Sequence, residues 1–184
     1  MVLIYKREPL EEDEIQLLRN KCKSFCEKLI INVLLETGLR VSEFCSLNVD
    51  MISWQRDCIT IWGKGDRRRI VPMSNIARKY LIEYFRRKDR IKMTPRRVQQ
   101  IVKEMAERAG LRKKVTPHVF RHTFAVTYLH RGGNLRALQG ILGHSSIQTT
   151  DVYLNYSGQR VIEDFRKVWS SERPVGTVEQ LQPF

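Results

Sequence analysis

The chain has 184 residues, of which 42% are apolar, enough to bury a core as one domain or as two closely packed lobes. It carries 33 Lys and Arg against 20 Asp and Glu, a formal charge of +13. No run of 18 apolar residues occurs, which excludes a membrane-spanning helix, and the opening MVLIYKREPLEEDE turns acidic where a signal peptide has its apolar stretch, so a cytoplasmic protein is expected. The basic residues cluster at Arg67 to Arg69, Arg86 to Arg90, Arg96 and Arg97, and Arg112 to Lys114. Any one cluster reads as a solvated surface. Their recurrence across separate elements points to a polyanionic partner.

In chain order, EEDEIQLLRN and SFCEKLIINVLLETG carry apolar residues at three- and four-residue steps and predict helices, the second stopping at Gly38. RVSEFCSL predicts a short helix. CITIWGKGDRRRIVPM breaks the helical period: Ile59 and Ile61 alternate with polar neighbours, Gly-Lys-Gly-Asp supplies a turn, and RRIVP resumes an extended run, which together predict a β-hairpin. NIARKYLIEYFRR and PRRVQQIVKEMAERAG predict amphipathic helices. Thr116 and Pro117 read as N-cap and first residue of a further helix. NLRALQGILG predicts a helix capped by Asn134 and stopped by Gly143, and IQTTDVYLNY and GQRVIEDFRKVW follow as helical segments. The fold class is therefore mainly α with a small antiparallel β-hairpin or sheet (α+β). Cys22, Cys26, Cys45 and Cys58 form no C-x-x-C pair, so reduced thiols are expected, not a zinc site or a disulfide framework.

The stretch TPHVFRHTF, residues 116–124, sets His118 and His122 four apart with Arg121 between them. A zinc protease places glutamate directly after its first histidine, to polarise the metal-bound water. Here that position is Val119, and Arg121 would bring positive charge to a cation site. No metal and no cofactor are expected. His122 reads as a core or capping residue. A phosphate fits the motif better. His118 falls in the first helical turn, where free N–H groups and the helix dipole favour an anion, and Arg121 lies one turn on with a guanidinium fork that matches two phosphate oxygens. By itself H-x-x-R is a weak signal.

Four separate segments strengthen it. TGLRVSE holds Arg40 and, three residues on, Glu43; the hairpin turn holds Lys64; LGHSS holds His144; TTDVYLNY holds Tyr153. This set, in this order, resembles the catalytic domain of the tyrosine recombinases, the phage-integrase-like, Xer-type family. His144 follows Arg121 by 23 residues and Tyr153 follows His144 by 9, as in that family. The resemblance runs from about residue 8 to about 170. Members usually carry a separate N-terminal DNA-clamping domain. This chain starts about where the catalytic domain starts, so the expectation is a catalytic domain over 1–174 without a separate clamping domain, and a tail over 175–184.

The resemblance implies site-specific cleavage and rejoining of double-stranded DNA through a covalent 3′-phosphotyrosyl intermediate. In that chemistry Arg40 and Arg121 grip the non-bridging oxygens, Lys64 is the general acid, and Tyr153 is the nucleophile. His118 helps deprotonate the tyrosine or bonds a phosphate oxygen. His144 donates to the phosphate, and Glu43 orients Arg40 or His118. Tyr156, one helical turn from Tyr153, reads as a core or hinge residue because Tyr153 holds the nine-residue spacing. A C-terminal segment docking on another protomer assembled on DNA is implied too, through the apolar stripe Val161, Ile162, Phe165, Val168 and Trp169; the same stripe would equally serve a helix folded back on its own domain. The rival readings are a type IB topoisomerase-like relaxing enzyme and a DNA-binding regulator of the same fold without activity. For each, binding rests on phosphate contacts. Affinity for duplex DNA is thus expected to fall ~10³–10⁵-fold between about 50 and 200 mM salt if roughly 6–10 phosphates are neutralised. A flat salt dependence in a fluorescence-anisotropy titration would exclude DNA as the partner.

Overall fold

The computed structural model describes residues 8–63 and 68–143. Helix α1 (Glu12–Asn20) leads to α2 (Phe25–Thr37) and the short α3 (Val41–Ser46). A single 3₁₀ turn, Val49–Met51, then enters strands β1 (Ile52–Ser53), β2 (Cys58–Trp62) and β3 (Arg68–Pro72). Helices α4 (Asn75–Phe85), α5 (Pro95–Arg108), α6 (Pro117–His130) and α7 (Leu135–Leu142) complete the described chain.

The helices begin where side chains can satisfy the backbone N–H groups that a first turn leaves without intrahelical partners. The side-chain oxygens of Ser24, Ser74, Thr94, Thr116 and Asn134 accept from the third residues of α2, α4, α5, α6 and α7 respectively. Each such cap contributes ~1 kcal/mol. Pro95 and Pro117 occupy first positions, where their missing N–H costs nothing.

Helix α2 is apolar on nearly every face, and it is buried accordingly: Leu29, Ile30, Ile31, Val33 and Leu34 are fully enclosed. It packs against α4, α6 and α5 at once. Two of its buried polar side chains turn back on the helix itself: Asn32 donates to the Lys28 carbonyl at 2.8 Å and Thr37 to the Val33 carbonyl at 2.6 Å. A second, smaller apolar cluster joins α6 to α7 through Ala125, Leu129, Leu138 and Leu142.

The three strands form an antiparallel sheet in the order β1-β2-β3. Ile59 lies opposite Val71 and Ile61 opposite Arg69, so these four side chains share one face. Trp62, Arg68 and Ile70 point the other way and are exposed. The two-residue strand β1 is absent from the sequence expectation, being too short to carry a period. The predicted hairpin is present as β2 and β3, while its turn, residues 64–67, lies outside the described residues. So do the segments read as helical after Gly143, with their apolar stripe, and the tail. Among the described residues no helix is long and apolar enough to cross a membrane, and Cys22, Cys26, Cys45 and Cys58 are unpaired thiols.

Gly38 ends α2 in the left-handed region, with φ at +63°, and a Cβ there would run into the Phe124 ring on α6. Gly110 has a similar φ of +70° with open space around it. Alanine at Gly110 is expected to cost ~1–2 kcal/mol from the left-handed backbone alone. Gly38→Ala is expected to cost clearly more, since the α2–α6 contact must also shift. Urea denaturation of both variants checks this; equal losses would mean that the ring yields freely.

Candidate active site

A cleft of about 850 Å³ opens between α3, α5 and the start of α6. Arg40, Lys103, Arg112, Lys114, His118 and Arg121 line it, so its wall is strongly basic. Two of these are the arginines that the sequence singles out, brought together from α3 and α6.

Arg121 is 4% exposed. Its Nη1 donates to the Gly38 carbonyl and its Nη2 to the Leu142 carbonyl, both at 2.6 Å. Each acceptor sits at the C-terminal end of a helix, where carbonyls lack intrahelical partners and the dipole is negative. The left-handed turn at Gly38 brings its carbonyl within reach of the guanidinium. Arg40 is the residue before α3 and is exposed. Its backbone N–H donates to Glu43 Oε2 and its Nη1 to Glu43 Oε1, both at 2.8 Å, while Nη2 reaches the Gly143 carbonyl at 3.4 Å. His118 is the second residue of α6 and lies exposed on the cleft wall. The start of a helix, a histidine and two arginines therefore face one space.

Glu43 serves two arginines. Arg69 of β3 grips it with both ends of its fork, Nη1 to Oε1 at 2.9 Å and Nη2 to Oε2 at 2.7 Å, and Arg69 Nε donates to the Ile141 carbonyl at 2.8 Å. Burial by itself would push the Glu43 carboxyl up. The Arg69 guanidinium, with the Arg40 N–H and guanidinium, outweighs burial and holds it below the usual carboxylate range. The expectation that Glu43 orients Arg40 or His118 meets a geometry in which the carboxylate bonds Arg40 directly. Arg69 escaped the sequence reading, which placed it in a surface cluster, Arg67 to Arg69. Its side chain is 14% exposed and turned inward. The signal was there: counting by two from the apolar Val71 puts Arg69 on the buried face.

Lys64, His144, Tyr153 and Tyr156 lie outside the described residues. In sequence His144 directly follows Gly143, the residue that ends α7 with φ at +64°. Among the described residues no three His, Cys, Asp or Glu side chains group as metal ligands. The cleft's donors are N–H groups, which suit an anion with several oxygens.

A mainly helical domain with a three-stranded antiparallel sheet at its edge and paired arginines in a basic cleft has the architecture of a tyrosine recombinase catalytic domain. The chain belongs to the phage integrase family, whose model matches residues 8–160. It is 35% identical over 165 residues to the tyrosine recombinase XerA of Pyrococcus furiosus, covering 82% of this chain and 57% of that protein. The crystal structure of XerA recombinase superposes with a TM-score of 0.75 at 33% identity, over 88% of this chain and 63% of that one. The catalytic domain of bacteriophage HP1 integrase superposes with a TM-score of 0.68 at 25% identity, over 95% of this chain and 100% of that one. The chain spans between 50% and 63% of the length of the curated relatives that it matches.

His122 lies one turn beyond His118 and is 4% exposed, the core position expected of it. Burial, aided by the nearby His118, pushes its pKa down to about 4. The neutral ring is the folded form, while the unfolded chain takes up a proton near the ordinary value of ~6.5. Its contribution is therefore complete above about pH 6.5 and is lost as pH falls towards 4. Urea midpoints are expected to drop between about pH 7.5 and pH 5, a window above the ordinary carboxylate range, and His122→Phe is expected to flatten that slope. An unchanged slope in the variant would assign the effect to another group.

Proposed function

We propose that this chain cleaves and rejoins double-stranded DNA at a defined site, in DNA recombination or integration, through a covalent 3′-phosphotyrosyl intermediate. The observation that carries the reading is the meeting of Arg40 and Arg121, 81 residues apart in sequence, in one basic cleft beside the end of α7, the helix that leads into His144 and Tyr153. The relatives' names, tyrosine recombinase and integrase, support the same activity.

A phosphodiester resists attack because its oxygens are anionic and its leaving alkoxide is poor. Arg40 and Arg121 neutralise the non-bridging oxygens and stabilise the extra charge of the pentacoordinate transition state. Loss of one preorganised donor of this kind typically costs ~3–4 kcal/mol, or roughly 10²–10³ in rate. Tyr153 Oη attacks phosphorus and gives up its proton; His118 helps to remove that proton or bonds a phosphate oxygen. The bond from phosphorus to the 5′-oxygen breaks, and Lys64 protonates the departing 5′-hydroxyl. His144 donates to a non-bridging oxygen, and Glu43 orients Arg40. One phosphoester replaces another, so a 5′-hydroxyl from the same or another strand reverses the step with no external energy. Other protomers assembled on paired DNA arms supply that strand in recombination.

A pool of nicked suicide duplexes with randomised arms tests the reading. The wild-type chain and Tyr156→Phe are expected to yield a slower-migrating adduct on a denaturing gel, unchanged by EDTA, and Tyr153→Phe none. Sequencing the trapped DNA then identifies the site. An adduct from Tyr153→Phe, or its loss in EDTA with recovery in zinc, overturns the mechanism. Relaxation of any supercoiled plasmid by a monomer would replace recombination with a topoisomerase-like activity, and absence of any adduct would leave a DNA-binding regulator.

A further inference from the structure

Arg69 has no assigned role in this chemistry, yet it joins three elements. The antiparallel register sets it opposite Ile61, on the inward face of β3 beside Val71. From there its fork holds both oxygens of Glu43, at 2.9 and 2.7 Å, and its Nε holds the Ile141 carbonyl in the last turn of α7 at 2.8 Å. Gly143, the end of that helix, leaves room for the arginine stem: a Cβ there would stand 2.8 Å from Arg69 Cδ. One guanidinium thus connects the sheet, the start of α3 where Arg40 sits, and the end of α7.

The electrostatic consequence concerns Arg40. A lone carboxylate three residues away would chelate the Arg40 fork with both oxygens and neutralise it, withdrawing it from an anion in the cleft. Arg69 bonds both carboxylate oxygens, Oε2 also accepts the Arg40 backbone N–H, and only Oε1 reaches the Arg40 guanidinium, through Nη1 alone. Arg40 keeps its orientation and most of its donors. We propose that Arg69 is a positioning residue, which presents Arg40 to the scissile phosphate by holding Glu43 and the end of α7. This inference rests on the strand-cleavage reading above. A lysine at this position keeps the charge but has no fork and cannot hold Glu43 and Ile141 together.

The test compares the wild-type chain with Arg69→Lys, Arg40→Lys and the double variant on the nicked duplex pool. Folding is followed by circular dichroism and thermal melting. Arg69→Lys is expected to stay folded and to lower the rate of adduct formation by ~10–100-fold, less than the roughly 10²–10³ that follows loss of a preorganised donor itself. The double variant is expected to be no slower than Arg40→Lys, because both changes act through one guanidinium; multiplicative losses overturn the proposal. The Arg40 side-chain N–H resonance gives a readout that needs no cleavage. It is expected to move on addition of duplex DNA to the wild-type chain and to move far less in Arg69→Lys. Equal movement in both overturns the proposal even if no adduct ever forms, whereas a missing wild-type adduct with the expected resonance behaviour overturns only the cleavage reading. If Arg69→Lys and Arg69→Gln both melt at the assay temperature, Arg69 is a structural bolt and the proposal fails.

Discussion

The buried guanidinium of Arg121 is the interaction on which the site's geometry depends. It closes the C-terminal ends of two helices at once, donating to the Gly38 carbonyl at the end of α2 and to the Leu142 carbonyl at the end of α7. Burying a cation costs several kcal/mol, which charge-assisted hydrogen bonds of about 1.5–3 kcal/mol each and the negative ends of two helix dipoles help to offset. The consequence is positional. Helix α2 is the most enclosed element of the domain and α7 is held by a small apolar cluster with α6, so Arg121 ties a peripheral helix to the rigid centre.

The charges around this fork are balanced in favour of an anionic guest. Arg40, Arg69 and Arg121 contribute three positive charges and Glu43 one negative charge, which leaves two positive charges beside the cleft. One carboxylate suffices to orient two guanidiniums but not to cancel them. In the proposed cleavage the phosphodiester carries one negative charge and gains more on the way to its transition state, and that surplus stands beside it.

The two cleft arginines are set among helix ends: the C-termini of α2 and α7 and the N-termini of α3 and α6. Helix ends offer unpaired backbone donors and acceptors that helix middles do not. They also move little when, as here, the helix bodies are packed into a shared core. Distances of 2.6 to 2.9 Å among side chains from α3, α6 and β3 and carbonyls from α2 and α7 follow from that packing and not from any local sequence preference.

What the sequence determined by itself was carried by neighbours within about a turn. Thr116 and Asn134 announced their helices, and Gly38 and Gly143 the ends of two, because capping and left-handed stops act across a few residues. The alternation of Ile59 and Ile61 and the Gly-Lys-Gly-Asp turn marked the hairpin for the same reason. H-x-x-R was legible as a motif, and its meaning came from Arg40, Glu43, Lys64, His144 and Tyr153 standing in a familiar order. Only the tertiary structure decided which partners these residues meet. Arg121 reaches Gly38 across 83 residues, and Arg69 reaches Glu43 across 26 and Ile141 across 72. No periodicity encodes such pairs. They arise when α2, α6, α7 and the sheet bury their apolar faces together, and burial is what turned Arg69 from one basic residue in a run of three into the link between two helix ends.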